Sequence, residues 1–227
     1  APVNGDSVVL TATTQSLLDY AWTIESGQSL TSSSSGSGDD MGIGQTNTTT
    51  GSLTLATGGT IDIGFLRPRS QAGAGGGNEF IIEAGATLNT DIYGLGIRNL
   101  DITYIADASS VTTWNNSGTG ASQFQIGADT LTVDLSSYSV SDTSSLTLVD
   151  YANAGVLNGT FASEAITGTG GWDSLTLGAD PFGDASNLEK GQYFIDYSTG
   201  SNITLLLHVP EPSSTALLGL GGLALML

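Results

Sequence analysis

The sequence predicts an all-β fold built from many short strands, and three observations carry that expectation. Charged residues make up 11% of the 227-residue chain, Lys+Arg is only 4, and Ser+Thr is 57. Ordinary soluble domains hold about 25% charged residues. Helices draw on Ala, Leu, Glu, Lys and Arg, whereas Thr, Val and Ile fit strands. Apolar and polar residues alternate with period two in run after run, as in Leu53-Thr54-Leu55, Ile61-Asp62-Ile63 and Leu131-Thr132-Val133-Asp134-Leu135. Clusters of Gly, Asn and Asp separate the runs, which is turn chemistry.

Taken in order, strands are expected at 7–11, 21–25, 51–57, 60–65, 79–83, 87–92, 100–105 and 109–114. More are expected at 122–126, 130–135, 144–151, 159–162, 174–177, 192–197 and 202–209. A short helical turn is expected near 15–20. The Ser/Gly tract at 31–38 and the Gly/Ala tract at 72–77 read as loops. Two regions follow: a β-rich body, 1–209, and an apolar tail, 210–227.

A degenerate repeat gives the architecture. Leu53-Thr54-Leu55-Ala56-Thr57-Gly58-Gly59-Thr60-Ile61 aligns with Phe80-Ile81-Ile82-Glu83-Ala84-Gly85-Ala86-Thr87-Leu88. Phe124-Gln125-Ile126-Gly127-Ala128-Asp129-Thr130-Leu131 has the same form, one residue shorter. Each is a strand, a turn of small residues in which Gly supplies a left-handed conformation, and a second strand opening on Thr. The pattern resembles the rungs of a right-handed parallel β-helix (β-solenoid), as in autotransporter passenger-like and adhesin-like proteins. A β-sandwich of jelly-roll type is the alternative. The stretch 138–161, with Leu146-Thr147-Leu148-Val149-Asp150-Tyr151 and Leu157-Asn158-Gly159-Thr160-Phe161, resembles the closing segment of autotransporter-like repeats in exported proteins.

The chain opens Ala1-Pro2-Val3-Asn4-Gly5, as expected behind a cleaved signal peptide. Near the other end, Val209-Pro210-Glu211-Pro212-Ser213-Ser214 precedes thirteen residues without charge. Here the sequence resembles the PEP-CTERM sorting signal of Gram-negative bacteria, with Val209, Pro210, Glu211 and Pro212 as the motif. The resemblance implies export, handling by an exosortase-type machinery, and association with exopolysaccharide. In that family the motif leads into a transmembrane helix and an arginine-rich cluster. Here the apolar run is shorter than the ~20 residues that span a bilayer, and a short apolar helix is expected.

Chemistry is sparse. With a net charge of −18 and four cations the chain cannot neutralise many phosphates, so nucleic acid is excluded as a partner. Without Cys there is no thiolate chemistry. His208 is the single histidine, and no triad, HExxH or G-x-S-x-G pattern surrounds it. Arg67, Arg69, Arg98 and Lys190 are the only cations a lyase could use, and Asp62, Asp91, Asp101 and Asp134 cannot be paired from sequence. No enzymatic activity is expected. Trp22, Trp114 and Trp172 are the only tryptophans that could stack on sugar. Asp180, Asp184, Asn187 and Glu189 gather oxygen ligands within ten residues and form the candidate calcium site, with Asp39-Asp40 a weaker second.

These features lead to an expected structural protein of the cell surface or extracellular matrix that polymerises with itself. Leu217, Leu218, Leu220, Leu223, Leu225 and Leu227 would supply the contact, and Val8-Val9-Leu10 would add to a neighbour's sheet. The alternatives are a monomeric membrane-anchored surface protein and a carbohydrate-binding or carbohydrate-active β-helix.

Overall fold

The computed structural model describes residues 8–10, 15–18, 21–32, 40–43, 51–68, 77–94, 100–120, 123–139, 142–152, 156–169, 172–197 and 200–209. In chain order the strands are β1 (Val8–Leu10), β2 (Gln15–Leu18), β3 (Ala21–Ile24), β4 (Ser29–Ser32), β5 (Asp40–Ile43), β6 (Ser52–Leu55) and β7 (Thr60–Pro68). There follow β8 (Glu79–Glu83), β9 (Thr87–Tyr93), β10 (Asp101–Ile105), β11 (Trp114–Asn116), β12 (Phe124–Gln125) and β13 (Thr130–Asp134). The last are β14 (Thr143–Tyr151), β15 (Leu157–Asn158), β16 (Ser163–Thr167), β17 (Thr176–Leu177), β18 (Gln192–Asp196) and β19 (Asn202–His208). The helices among the described residues are two 3₁₀ turns, Trp172–Ser174 and Ala185–Asn187. The fold is all-β.

Two sheets form. One runs β3-β6-β8-β10-β13-β16, and every neighbouring pair in it is parallel. The main path of the other is β1-β4-β7-β9-β11-β14-β19-β18-β17. Its pairs are parallel as far as β14, then antiparallel on both flanks of β19. From β3 to β16 the chain passes back and forth between the two sheets. Jelly rolls are antiparallel, so the pairing seen here is not theirs.

Register turns the period-two alternation into stacked rows. Trp22, Leu53, Phe80, Ile102 and Leu131 lie side by side across five strands, and all are buried. Ile24, Leu55, Ile82, Tyr104, Val133 and Ile166 make a second buried row. Leu30, Ile61, Leu88, Trp114, Val149 and Ile203 make the row of the other sheet. Each such side chain contributes roughly 1.5–3 kcal/mol by leaving water. The rings of Phe80, Tyr93, Trp114 and Phe124 meet with centroids 4.6–5.6 Å apart at the middle of the core.

The aligned repeats 53–61 and 80–88 superpose as expected: Leu53 pairs with Phe80 and Thr60 with Thr87. Their turns also stack, with Gly27 N–H donating to Gly58 O at 3.0 Å and Gly58 N–H to Gly85 O at 3.1 Å. Gly58 has φ +77°, and a Cβ there would lie 2.6 Å from Ser26 Oγ. The third aligned copy is corrected. Phe124 pairs with Tyr93 and Leu157 in the larger sheet, whereas the true neighbours of Phe80 are Leu53 and Ile102. Residues 15–18 form a parallel strand against β5 and not a helical turn. The strand expected at 109–114 begins only at Trp114, because Asp107 draws the preceding chain into a turn by accepting from Ser109 and Ser110 N–H at 2.8 and 2.7 Å. The strand expected at 159–162 lies instead on either side, at β15 and β16. The expected apolar helix lies outside the described residues.

Candidate functional site at the tail joint

β19 is the strand through which the body meets the tail, and its sequence explains its place. Ile203, Thr204, Leu205, Leu206 and Leu207 are all buried, so both faces of the strand are covered. Ile203, Leu205 and Leu207 face the main core. Leu206 faces the opposite way, onto Ala185, Leu188 and Phe194 in a small second cluster. Antiparallel pairing holds both edges, with Leu205 opposite Leu146 on β14 and Ile195 on β18.

The joint closes at His208 and Val209. His208 Nδ1 lies 2.6 Å from Leu188 O, and its Nε2 lies 3.4 Å from Asp142 Oδ1. Gly191 N–H donates to His208 O at 2.9 Å, and Val209 N–H donates to Asp142 O at 2.8 Å. Pro210 then has no N–H to continue the ladder. The single histidine is therefore a structural pin at the point of exit. Pro210, Glu211, Pro212 and the tail leucines from Leu217 to Leu227 lie outside the described residues.

The candidate calcium ligands sit in the segment between β17 and β18, which covers Leu206. Asp180 Oδ1 accepts from Phe182 N–H at 2.8 Å. Asp184 Oδ1 caps the 3₁₀ turn, accepting from Ser186 N–H at 2.9 Å and Ser186 Oγ–H at 2.7 Å, and these bonds hold its carboxyl below the usual range. Asn187 Nδ2 donates to Pro181 O at 3.0 Å, and Glu189 N–H donates to Gln192 Oε1 at 3.0 Å. These interactions build the loop. Among the described residues, no group of three or more His, Cys, Asp or Glu is placed to hold a metal ion.

The remaining candidates are dispersed. Asp91 accepts from Ser117 Oγ–H, Asp101 from Thr130 Oγ1–H at 2.6 Å, and Asp134 from Ser136 N–H at 2.8 Å. Asp62 is exposed on β7. Trp22, Trp114 and Trp172 are 2, 1 and 8% exposed, so none offers a face to sugar. Arg67 and Asp40 lie in β7 and β5, while Asp39, Arg69 and Arg98 are outside the described residues. An open depression of about 290 Å³ is lined by Thr57, Glu83, Ile105 and Asp107. Its two carboxylates already serve turns: Glu83 Oε2 accepts from Thr57 N–H at 3.0 Å, and Asp107 accepts from the two serine amides.

Sequence reasoning missed a buried carboxyl. Asp129 is 1% exposed and accepts from Tyr93 Oη–H and Leu100 N–H, both at 2.9 Å, and from Gly127 N–H at 3.3 Å. Burial pushes it up to about 6, against the pull of those bonds. The signal available was an Asp inside a run of small residues directly before a strand.

β19 thus ends the described body at the point where the motif Val209-Pro210-Glu211-Pro212 begins. Residues 208–227 match the PEP-CTERM protein-sorting motif. The chain is thus exported, sorted by exosortase-type machinery, and destined to be anchored at or released from the cell surface. No curated protein and no solved structure matches the chain.

Proposed function

We propose that this protein is a non-enzymatic surface protein whose body is a parallel β-helix displayed on the outside of the cell and attached through its tail. The observation that carries this reading is the joint. β19 is gripped on both edges and both faces, and the sorting motif starts at its final residue. A protein built to be held by its tail needs firm tertiary structure at that point. The parallel registers and the chain's alternation between two sheets support the β-helix. Support for the absence of catalysis comes from the pinned histidine, the buried tryptophans and carboxylates committed to turns.

A filament is the second reading, favoured by β1 and β3, which stand at the edges of their sheets among the described strands, and by Val9, 62% exposed. Growth by end-to-end stacking would need the opposite end to accept another rung. There the larger sheet finishes in antiparallel strands and a two-residue edge, β17. The smaller sheet finishes in β16, where Glu164 stands opposite Leu131 at the end of an apolar row. Inward charges and short edges discourage strand addition. The geometry therefore favours the tail-held monomer. Exopolysaccharide in the surrounding matrix is the partner this reading would allow.

The test is cell fractionation of the producing organism with and without residues 213–227. The intact chain is expected with the cell surface and the truncated one in the medium. Retention of the truncated chain on the cells would show that something other than the tail attaches it.

A further inference from the structure

Among the described residues the exposed large apolar side chains are Val9, Leu177 and Phe182, at 62, 61 and 88%. Two of the three lie in the short stretch of chain beside the tail's exit. Phe182 is held outward by a built turn. Its N–H is bound by Asp180, Asp184 N–H donates to Pro181 O at 3.3 Å, and Asn187 Nδ2 donates to the same carbonyl at 3.0 Å. Its φ is +55°, a left-handed conformation that costs a residue bearing a Cβ and that turns ordinarily give to Gly or Asn. Strain at an exposed aromatic is a reason to look for a partner. The same segment between β17 and β18 also contacts the last residue of β19: next to Asn187, Leu188 O meets His208 Nδ1, and Gly191 N–H donates to His208 O.

We propose that the Phe182 turn is a second lipid contact, seating its ring in the interfacial layer of the membrane that receives the tail. This rests on the reading that the tail is the attachment. The occupant follows from chain length and charge. The uncharged run begins at Thr215, six residues beyond Val209. Six residues span at most about 20 Å, so an apolar phase that takes the tail must lie close to the end of β19, against which the segment carrying Phe182 is packed through Leu188 and Gly191. A second copy of this chain brings the same −18 charge to a turn flanked by Asp180 and Asp184, and like charges disfavour that pairing. Those carboxylates also favour a zwitterionic surface over an anionic one.

The experiment uses the full chain carrying Phe182→Trp, mixed with phosphatidylcholine vesicles with and without brominated acyl chains. The native tryptophans are at most 8% exposed, so the new indole is the one that lipid can reach. Flotation reports attachment, and indole emission reports the turn. The expected result is flotation together with a blue shift and quenching by brominated lipid. Phe182→Ser should weaken partition roughly tenfold, the loss of one buried aromatic. Flotation with solvent-exposed emission, or with Phe182→Ser partitioning like the native chain, overturns the lipid contact and leaves the attachment reading standing. A chain that does not float overturns both. Phosphatidylglycerol vesicles should bind more weakly, and equal or tighter binding would contradict the role given to Asp180 and Asp184.

Discussion

Asp129 is the residue that most directly couples this body to pH. Burial raises its carboxyl to about 6, and burial also raises the half-buried Glu164, whose Oε1 accepts from Tyr197 Oη–H. An acid raised in the folded state binds protons more tightly folded than unfolded. Its contribution is fully present below about pH 4 and is lost as pH rises through about 6. The rise from the ordinary carboxyl value to about 6 corresponds to about 3 kcal/mol. Denaturant midpoints are therefore expected to fall between pH 4 and pH 7, and Asp129→Asn should flatten most of that slope. Parallel pH profiles for the two proteins would remove Asp129 as the cause. Residue by residue, what could be read in advance was whatever local chemistry decides. Gly58 and Gly85 announced a left-handed turn because only Gly adopts it without strain. Asp129 gave no such notice, since its partners Tyr93 and Leu100 lie 36 and 29 residues away and reach it only in the folded chain.

β19 sets the mechanical character of the tail end. Pairing on two edges and burial on two faces make it a strand that resists fraying. Amides of residues 203–207 should exchange more slowly than those of β1, which is bonded on one edge among the described strands. Leu205→Ala should cost about 2–5 kcal/mol, while Val9→Ala, at an exposed position, should stay within about 0.5 kcal/mol. Equal exchange at the two strands would contradict the account of β19 as a strand held on both edges and both faces. Elements with clean alternation, such as β6, β8, β10 and β13, were legible. β2 and β4, Gln15-Ser16-Leu17-Leu18 and Ser29-Leu30-Thr31-Ser32, do not alternate apolar with polar as β6 does, and β4 and β5 flank the Ser/Gly tract that reads as a loop. β16 was misplaced because Glu164 occupies an inward position where the alternation calls for an apolar residue. The sorting motif was legible for a different reason: it is linear, so its neighbours in sequence are sufficient. The joint was not, because Asp142 and Leu188 come to His208 from distant parts of the chain.

At the scale of the whole molecule the two ends differ. Among the described strands, one leaves β1 and β3 at sheet edges, and the other turns antiparallel and carries Glu164 at an inward position. A head-to-tail contact that does not close generates a filament, and this asymmetry works against such growth. A charge of −18 adds repulsion between copies, which salt would screen. The most direct measurement is sedimentation with negative-stain microscopy of the chain lacking residues 213–227, at low and high salt. The account requires single particles of monomer mass under both conditions. Filaments formed by that truncated chain would contradict it, since the body alone would then carry the assembly that the geometry of its tail end disfavours.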